Sequence, residues 1–327
     1  MAERTAPASG RTRLARALGP AAGLITVAVF FALLTGAPER YLSGANLRVV
    51  LAQTVIVGLG AIGMTLVMIS GGIDLSVGAT VALTGVITAL ALRDGASPAA
   101  AAALGVAAGG AVGLVNGLAI TGLRIVPFIA TLGMLGVARG AAKYFAGEQS
   151  VNPPPTWLNG LAVTFPSRKW MLVAPGVWIT LALAVAMAVV LRRTVFGRRV
   201  FAVGSNEAAA RACGIAVDRV KVAVYAAGGL FFGLAGVTQM SRLRQGDPTV
   251  AVGLELDVIA SVVIGGGSLS GGEGSVAGSL IGALIMSMLR NGCQQMGWPT
   301  YVQEIIIGVI IVLAVAADRW RASRAEE

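Results

Sequence analysis

The sequence of 327 residues has no histidine, two cysteines, three lysines and few aromatics, and only 12% of it is charged. Each scarcity removes a class of function. Without histidine there is no Ser-His-Asp triad and none of the common histidine zinc sites. Cys213 and Cys293 stand far apart with no metal-ligand spacing, and they read as two unpaired thiols. Lys143, Lys169 and Lys221 follow Ala142, Arg168 and Val220, so there is no Gly-Lys pair, which a phosphate-cradling Walker A loop requires. ATP hydrolysis through such a loop is excluded. A soluble domain carries about 25% charged residues. The low charge here, with 56% hydrophobic residues, identifies a polytopic membrane protein. The net charge of +10 therefore reads as basic residues gathered in cytoplasmic loops, not as a nucleic-acid footprint.

What is abundant is apolar sequence and glycine, with 45 glycines in the chain. A membrane span needs about 20 apolar residues. Candidate spans cover residues 21–36, 49–69, 76–92, 98–121, 126–147, 172–191, 220–241, 253–267, 274–290 and 301–317. Several are short. The expected fold is all-α: one transmembrane helix bundle over 1–327, with about ten spans of which one or two are broken or re-entrant. The arginine-rich start resembles a signal peptide, but the many later runs favour an uncleaved first span. With both termini cytoplasmic, fifteen basic residues fall inside and eight outside, as the positive-inside rule requires. Residues 148–171 then form an outer loop, where Pro153, Pro154 and Pro155 forbid helix. Residues 192–222 form the most charged, cytoplasmic loop.

Glycine recurs every four residues in two spans, at Gly105, Gly109, Gly113 and Gly117 and at Gly274, Gly278 and Gly282. That spacing lets helix backbones meet, so these faces are assigned to packing and to no chemistry.

Two apolar stretches are interrupted in a similar way. "GGIDLSVG" at 71–78 aligns with "GGGSLSGG" at 265–272, matching at five of eight positions. Paired glycine interruptions point to a transport route. Candidate route or gate residues are Gly71, Gly72, Asp74 and Ser76 in the first break, and Gly266, Gly267, Ser268 and Ser270 in the second. Two compatible readings hold for Asp74: it caps the following helix, where the helix dipole favours a carboxylate, or its break lines the route. Glu255 and Asp257 begin the eighth span, either as capping or solvated acids or as partners for a basic group. Arg139 and Lys143 lie one turn apart inside the fifth span. Lys143 reaches the outer interface by snorkelling, and Arg139, being deeper, needs an acid, for which Asp257 is the candidate.

In the cytoplasmic loop, Ser205 or Asn206 is a natural N-cap, Glu207 suits a first turn and Gly214 a C-terminal stop. The intervening Ala208, Ala209 and Arg211 favour helix. Two turns are too short to be stable alone, so this helix needs something to pack on.

Five segments, "SGGIDLSVG" (70–78), "VPFIATLGMLGVARG" (126–140), "GSNEAAARACGI" (204–215), "ELDVIASVVIGGGSLSGGEG" (255–274) and "RNGCQQMG" (290–297), occur in an order that resembles the bacterial ABC-importer permeases for ribose, xylose, arabinose and galactosides. The resemblance covers roughly residues 45–318. It implies a homodimer in the inner membrane, embedded in lipid, that passes a monosaccharide delivered by a periplasmic or lipid-anchored binding protein. ATP and Mg2+ then belong to a separate cytoplasmic ATPase, no cofactor belongs to this chain, and 204–215 is a coupling helix seated in that ATPase. Related permeases carry branched-chain amino acids or nucleosides. An ion-coupled secondary transporter is the reading from another class, with Asp74 as its coupling acid.

Overall fold

The computed structural model describes residues 10–166 and 171–326, and the outer-loop residues Arg168 and Lys169 lie outside them. Thirteen α-helices follow in order: α1 (Gly10–Leu34), α2 (Pro38–Tyr41), α3 (Gly44–Ile69), α4 (Val77–Arg93), α5 (Pro98–Gly122), α6 (Pro127–Ala146), α7 (Pro175–Arg193), α8 (Val195–Ser205), α9 (Glu207–Ala212), α10 (Val217–Leu243), α11 (Leu254–Ile264), α12 (Val276–Gln295) and α13 (Thr300–Glu326). Each of the ten expected spans falls on one helix. Five helices are long and apolar enough to cross a membrane, namely α3, α5, α7, α10 and α12, and three shorter apolar stretches lie in α1, α4 and α13. The chain is therefore an all-helical, polytopic membrane bundle.

Local chemistry sets the helix limits. Ser43, Ser97 and Ser275 each accept a hydrogen bond from a backbone N–H in the first turn of α3, α5 and α12. Proline opens α5, α6 and α7, where its missing N–H costs nothing. Both breaks end their helix in the same manner. Gly71 N–H donates to the Met68 carbonyl and Gly72 N–H to that of Val67, while Gly266 and Gly267 do the same to Val263 and Val262. Gly71 (φ +83°) and Gly266 (φ +89°) supply the left-handed residue that this paired closure needs. The two breaks are thus true equivalents, one residue out of register with the sequence echo.

The core lies around α3, whose residues from Val55 onward are buried. Its tightest seam is α5 on α10. A Cβ at Gly109 would lie 2.6 Å from the Cα of Gly233, and one at Gly117 2.8 Å from the Cα of Val222. Gly278 and Gly282 of α12 meet Gly265 and Ser261 of α11 just as closely. Gly274 is not part of that stripe: it precedes α12 and packs on Ile69.

The eighth span departs from expectation. Its helix, α11, has 11 residues, or about 16 Å, half of what a bilayer core requires. The residues before it, 246–253, are non-helical, with turns at 248–249 and 252–253, and are anchored by mutual backbone hydrogen bonds of 2.8 Å between Gly246 and Val151.

The α5–α10 seam generates a test. Gly109→Val forces a side chain into backbone, which cannot rotate away, and should cost at least about 2 kcal/mol. Gly133→Ala on α6, with nothing within 4 Å, should be neutral. Thermal unfolding in detergent reads both, and equal midpoints would contradict backbone-to-backbone packing.

Candidate functional site: a short helix keyed to two helix breaks

The loop 192–222 folds as two helices, α8 and α9, leading into α10. Asn206, not Ser205, is the N-cap of α9: its Oδ1 accepts from Ala209 N–H at 2.9 Å, while Ser205 closes α8. Gly214, at φ +80°, ends α9 by donating to the Arg211 carbonyl while Ile215 N–H donates to that of Ala210. Arg211 donates to Glu207 at 3.2 Å and to Asp218 at 3.1 Å, and Lys221 donates to Glu207 at 2.6 Å. The Lys221 ammonium, with Arg211, holds the Glu207 carboxyl below its usual range. A depressed carboxyl stabilises above its unfolded pKa, so this clasp is intact at neutral pH and lost only in strong acid. Among the six residues of α9 only Ala210 is buried. Ala208, Ala209 and Arg211 are exposed, and Glu207, Ala208, Arg211 and Ala212 line an open, shallow groove.

The last turn of α8 reaches the two breaks. Gly204 packs against the Ile69 carbonyl at the end of α3 and the backbone nitrogen of Gly272 in the second break. Gly272 N–H itself donates to the Ile69 carbonyl at 2.9 Å. A Cβ on Gly271 would sit 2.8 Å from both the Gly204 carbonyl oxygen and the Gly71 Cα. Three chain segments therefore meet backbone to backbone, with no side chain between them. Gly204 opens the "GSNEAAARACGI" segment, but its role was not legible there, because it depends on Ile69 and Gly272, 135 and 68 residues distant along the chain.

Asp74 is fully buried. Its Oδ1 accepts from the N–H and hydroxyl of Ser76 at 2.8 and 2.6 Å, and its Oδ2 accepts from the Asn116 amide at 3.2 Å. The Thr131 hydroxyl accepts from Leu75 N–H at 3.1 Å. Asp74 thus closes the turn onto Ser76, the N-cap residue of α4, whose own side chain makes no capping bond. Asn116 and Thr131 complete the turn, and their only sequence signal is polarity inside apolar runs. Gly72 lies against the Tyr225 hydroxyl of α10. In the second break, Ser268 Oγ accepts from Ser270 N–H at 3.2 Å, closing a small turn, and Gly266 and Ser270 are exposed while Gly267 is buried.

The expected Arg139–Asp257 pair does not form. Asp257, buried on α11, is held by Arg290 of α12 at 2.7 and 2.8 Å. Arg139 instead donates to the backbone carbonyls of Pro248 and Val250 at 2.8 and 2.7 Å. The non-helical segment has carbonyls that no helix satisfies, and the guanidinium takes them. Arg290 of the "RNGCQQMG" segment was the missed partner, because it lies 33 residues further on, on α12, which packs beside α11.

Comparison with known proteins agrees with this architecture. The family model described as "Branched-chain amino acid transport system / permease component" matches residues 46–315. The ribose import permease protein RbsC of Escherichia coli K12 is 38% identical over 315 residues, covering 96% of this chain and 98% of its own. That of Bacillus subtilis is 40% identical over 311 residues, 94% of each chain. The L-arabinose ABC transporter permease protein AraH of Azospirillum brasilense is 36% identical over 327 residues, 98% of this chain and 93% of its own. No solved structure matches. Matched by that model over most of its length, and by such relatives over nearly all of theirs, the chain belongs to the branched-chain amino acid transport system permease-component family.

Proposed function

We propose that this chain is the membrane-spanning permease subunit of an ABC importer that passes a monosaccharide, a pentose or hexose, across the bacterial cytoplasmic (inner) membrane. A periplasmic or lipid-anchored binding protein hands over the sugar, two copies form a homodimer, and a separate cytoplasmic ATPase, with its own ATP and Mg2+, drives the cycle. The solute is assigned from the relatives: the family description names branched-chain amino acids, but RbsC and AraH, which align along nearly the whole chain, are named for ribose and L-arabinose.

The observation that carries the reading is the seating of α8 and α9. A six-residue helix, capped at both ends and clasped by ion pairs, has one buried residue. Its own bundle gives it little to pack on, so its stability calls for a partner surface. Its base, Gly204, touches both helix breaks. Displacement of α9 by an ATPase is thereby passed to the ends of α3 and α11, which carry the route between them.

The chain crosses the membrane ten times with both termini cytoplasmic, α11 and residues 246–253 together making one crossing. The basic-residue excess on the inner side supports this orientation. Cysteines introduced by Ser9→Cys and Ala325→Cys should resist a membrane-impermeant maleimide in intact cells, while Gln149→Cys should react. Reaction at either terminus would reverse the topology.

The docking reading is tested at Ala209, whose exposed side chain leaves room for a larger one. Ala209→Trp should insert normally yet lower co-purification of the ATPase about tenfold, with a matching loss of uptake, as expected when the centre of an interface is obstructed. A wild-type ATPase ratio with unchanged transport would show that α9 is not the docking element.

A further inference from the structure

Residues 246–253 are not helical, yet they run along α4 inside the bundle. Gly246 abuts Val86 and Ala89, and the Ala251 carbonyl lies against Gly78. Residues 78 and 86 are separated by about 12 Å of helix, so the segment descends well into the membrane from the outer side. Ala251, at φ +60°, holds a left-handed conformation that is unusual for a residue with a side chain. Backbone of this kind occurs at membrane depth only where it is buried in protein or faces water.

This segment is only partly buried by its own chain: Gly246 and Pro248 are buried. Thr249 is exposed and Val252 is 78% exposed. Beside it, α6 presents Gly136 and Gly140, each with open space where a side chain would project. Arg139 stands between those glycines in sequence. It uses Nη1 for the carbonyls of Pro248 and Val250, and its other N–H groups make no hydrogen bond to the protein among the described residues. Asp247 and Glu255 lie close enough to attract it. Asp247 Oδ1 accepts from the Thr249 N–H and hydroxyl at 2.8 and 2.7 Å. Ionisable groups at membrane depth face a bundle interior or a water-filled cavity, and these three border a surface that this chain leaves open.

We propose that residues 247–252 and the glycine face of α6 around Arg139 form the wall of the translocation route in the outer half of the membrane, where they meet the polyhydroxylated solute. A sugar carries no charge and many hydroxyls. The spare guanidinium N–H groups are donors for it, the Asp247 and Glu255 carboxylates are acceptors, and the glycines give its ring a smooth surface to pass. The helix breaks at 70–76 and 265–275 then act as the inner joint of the route, not as its outer wall. The inference rests on the importer reading given above.

The test uses the full transporter with its ATPase and binding protein, in cells, with Cys213→Ser as background. Thr249→Cys and Val252→Cys should react with a charged, membrane-impermeant methanethiosulfonate at least about tenfold faster than Val185→Cys, whose parent residue is exposed on the apolar helix α7. D-ribose supplied with the binding protein should slow the reaction at 249 and 252. Val252→Trp should abolish ribose uptake while the subunit ratio of the complex stays normal, and Val185→Trp, outside the proposed wall, should transport normally. Failure to label either position overturns the inference. So does a disulfide between two copies through Val252→Cys, which would mean that the second subunit covers the segment. Labelling that is intact but insensitive to ribose, in a transporter that moves no ribose, leaves the wall in place and overturns the sugar reading instead.

Discussion

The arrangement depends on contact between bare backbones. Lipid supplies no hydrophobic drive for helices to associate, so close packing and satisfied hydrogen bonds must hold the bundle. Glycine provides both. Along the α5–α10 seam it lets two helices approach until carbonyl meets Cα. At the junction of Gly71, Gly204 and Gly271 it lets three chain ends meet, with the Gly272–Ile69 hydrogen bond at their centre. A side chain at any of these places would act as a spacer, and a spacer would cushion a displacement instead of passing it on. Rigidity at this joint would let a helix docked on the proposed ATPase move the two helix breaks.

Around that joint the polar groups divide into two sets. One is sealed and structural: Asp74 with Ser76 and Asn116, and Asp257 with Arg290. The other is open: Arg139, Asp247, Thr249 and Glu255 beside the non-helical segment. Sealed groups hold turns and fix helix positions. Open ones are placed to exchange hydrogen bonds with water or a passing hydroxyl. The first acid to draw notice in the sequence, Asp74, belongs to the sealed set, and the outer acids beside Arg139 belong to the open one.

Sequence periodicity located the ten apolar helices, because long apolar runs broken by glycine and proline have few alternatives, but it did not show α2 or α8. It also located the α9 caps, since Asn206, Glu207 and Gly214 act on neighbours within one or two turns. Local signals failed where the partner is remote. Asp257 chose Arg290 over Arg139 because helix pairing brings α12, not α6, alongside α11. The eighth span reads as the short run 253–267, and nothing within 246–253 announces that Arg139 will satisfy its carbonyls. The equivalence of the two breaks was visible as an echo, but only the hydrogen bonds show that Gly71 corresponds to Gly266.

The central claim is that Gly204 transmits motion by direct contact, separately from whether the ATPase binds. In the reconstituted importer, the ratio of ATP hydrolysed to sugar moved measures this for Gly204→Ala, whose added methyl must displace the Ile69 carbonyl or the Gly272 nitrogen. The account predicts a normal subunit ratio and continued hydrolysis with uptake reduced about tenfold or more, since a contact this close cannot absorb a methyl group without moving. Tight coupling at the wild-type ratio, in a stably folded variant, would contradict it.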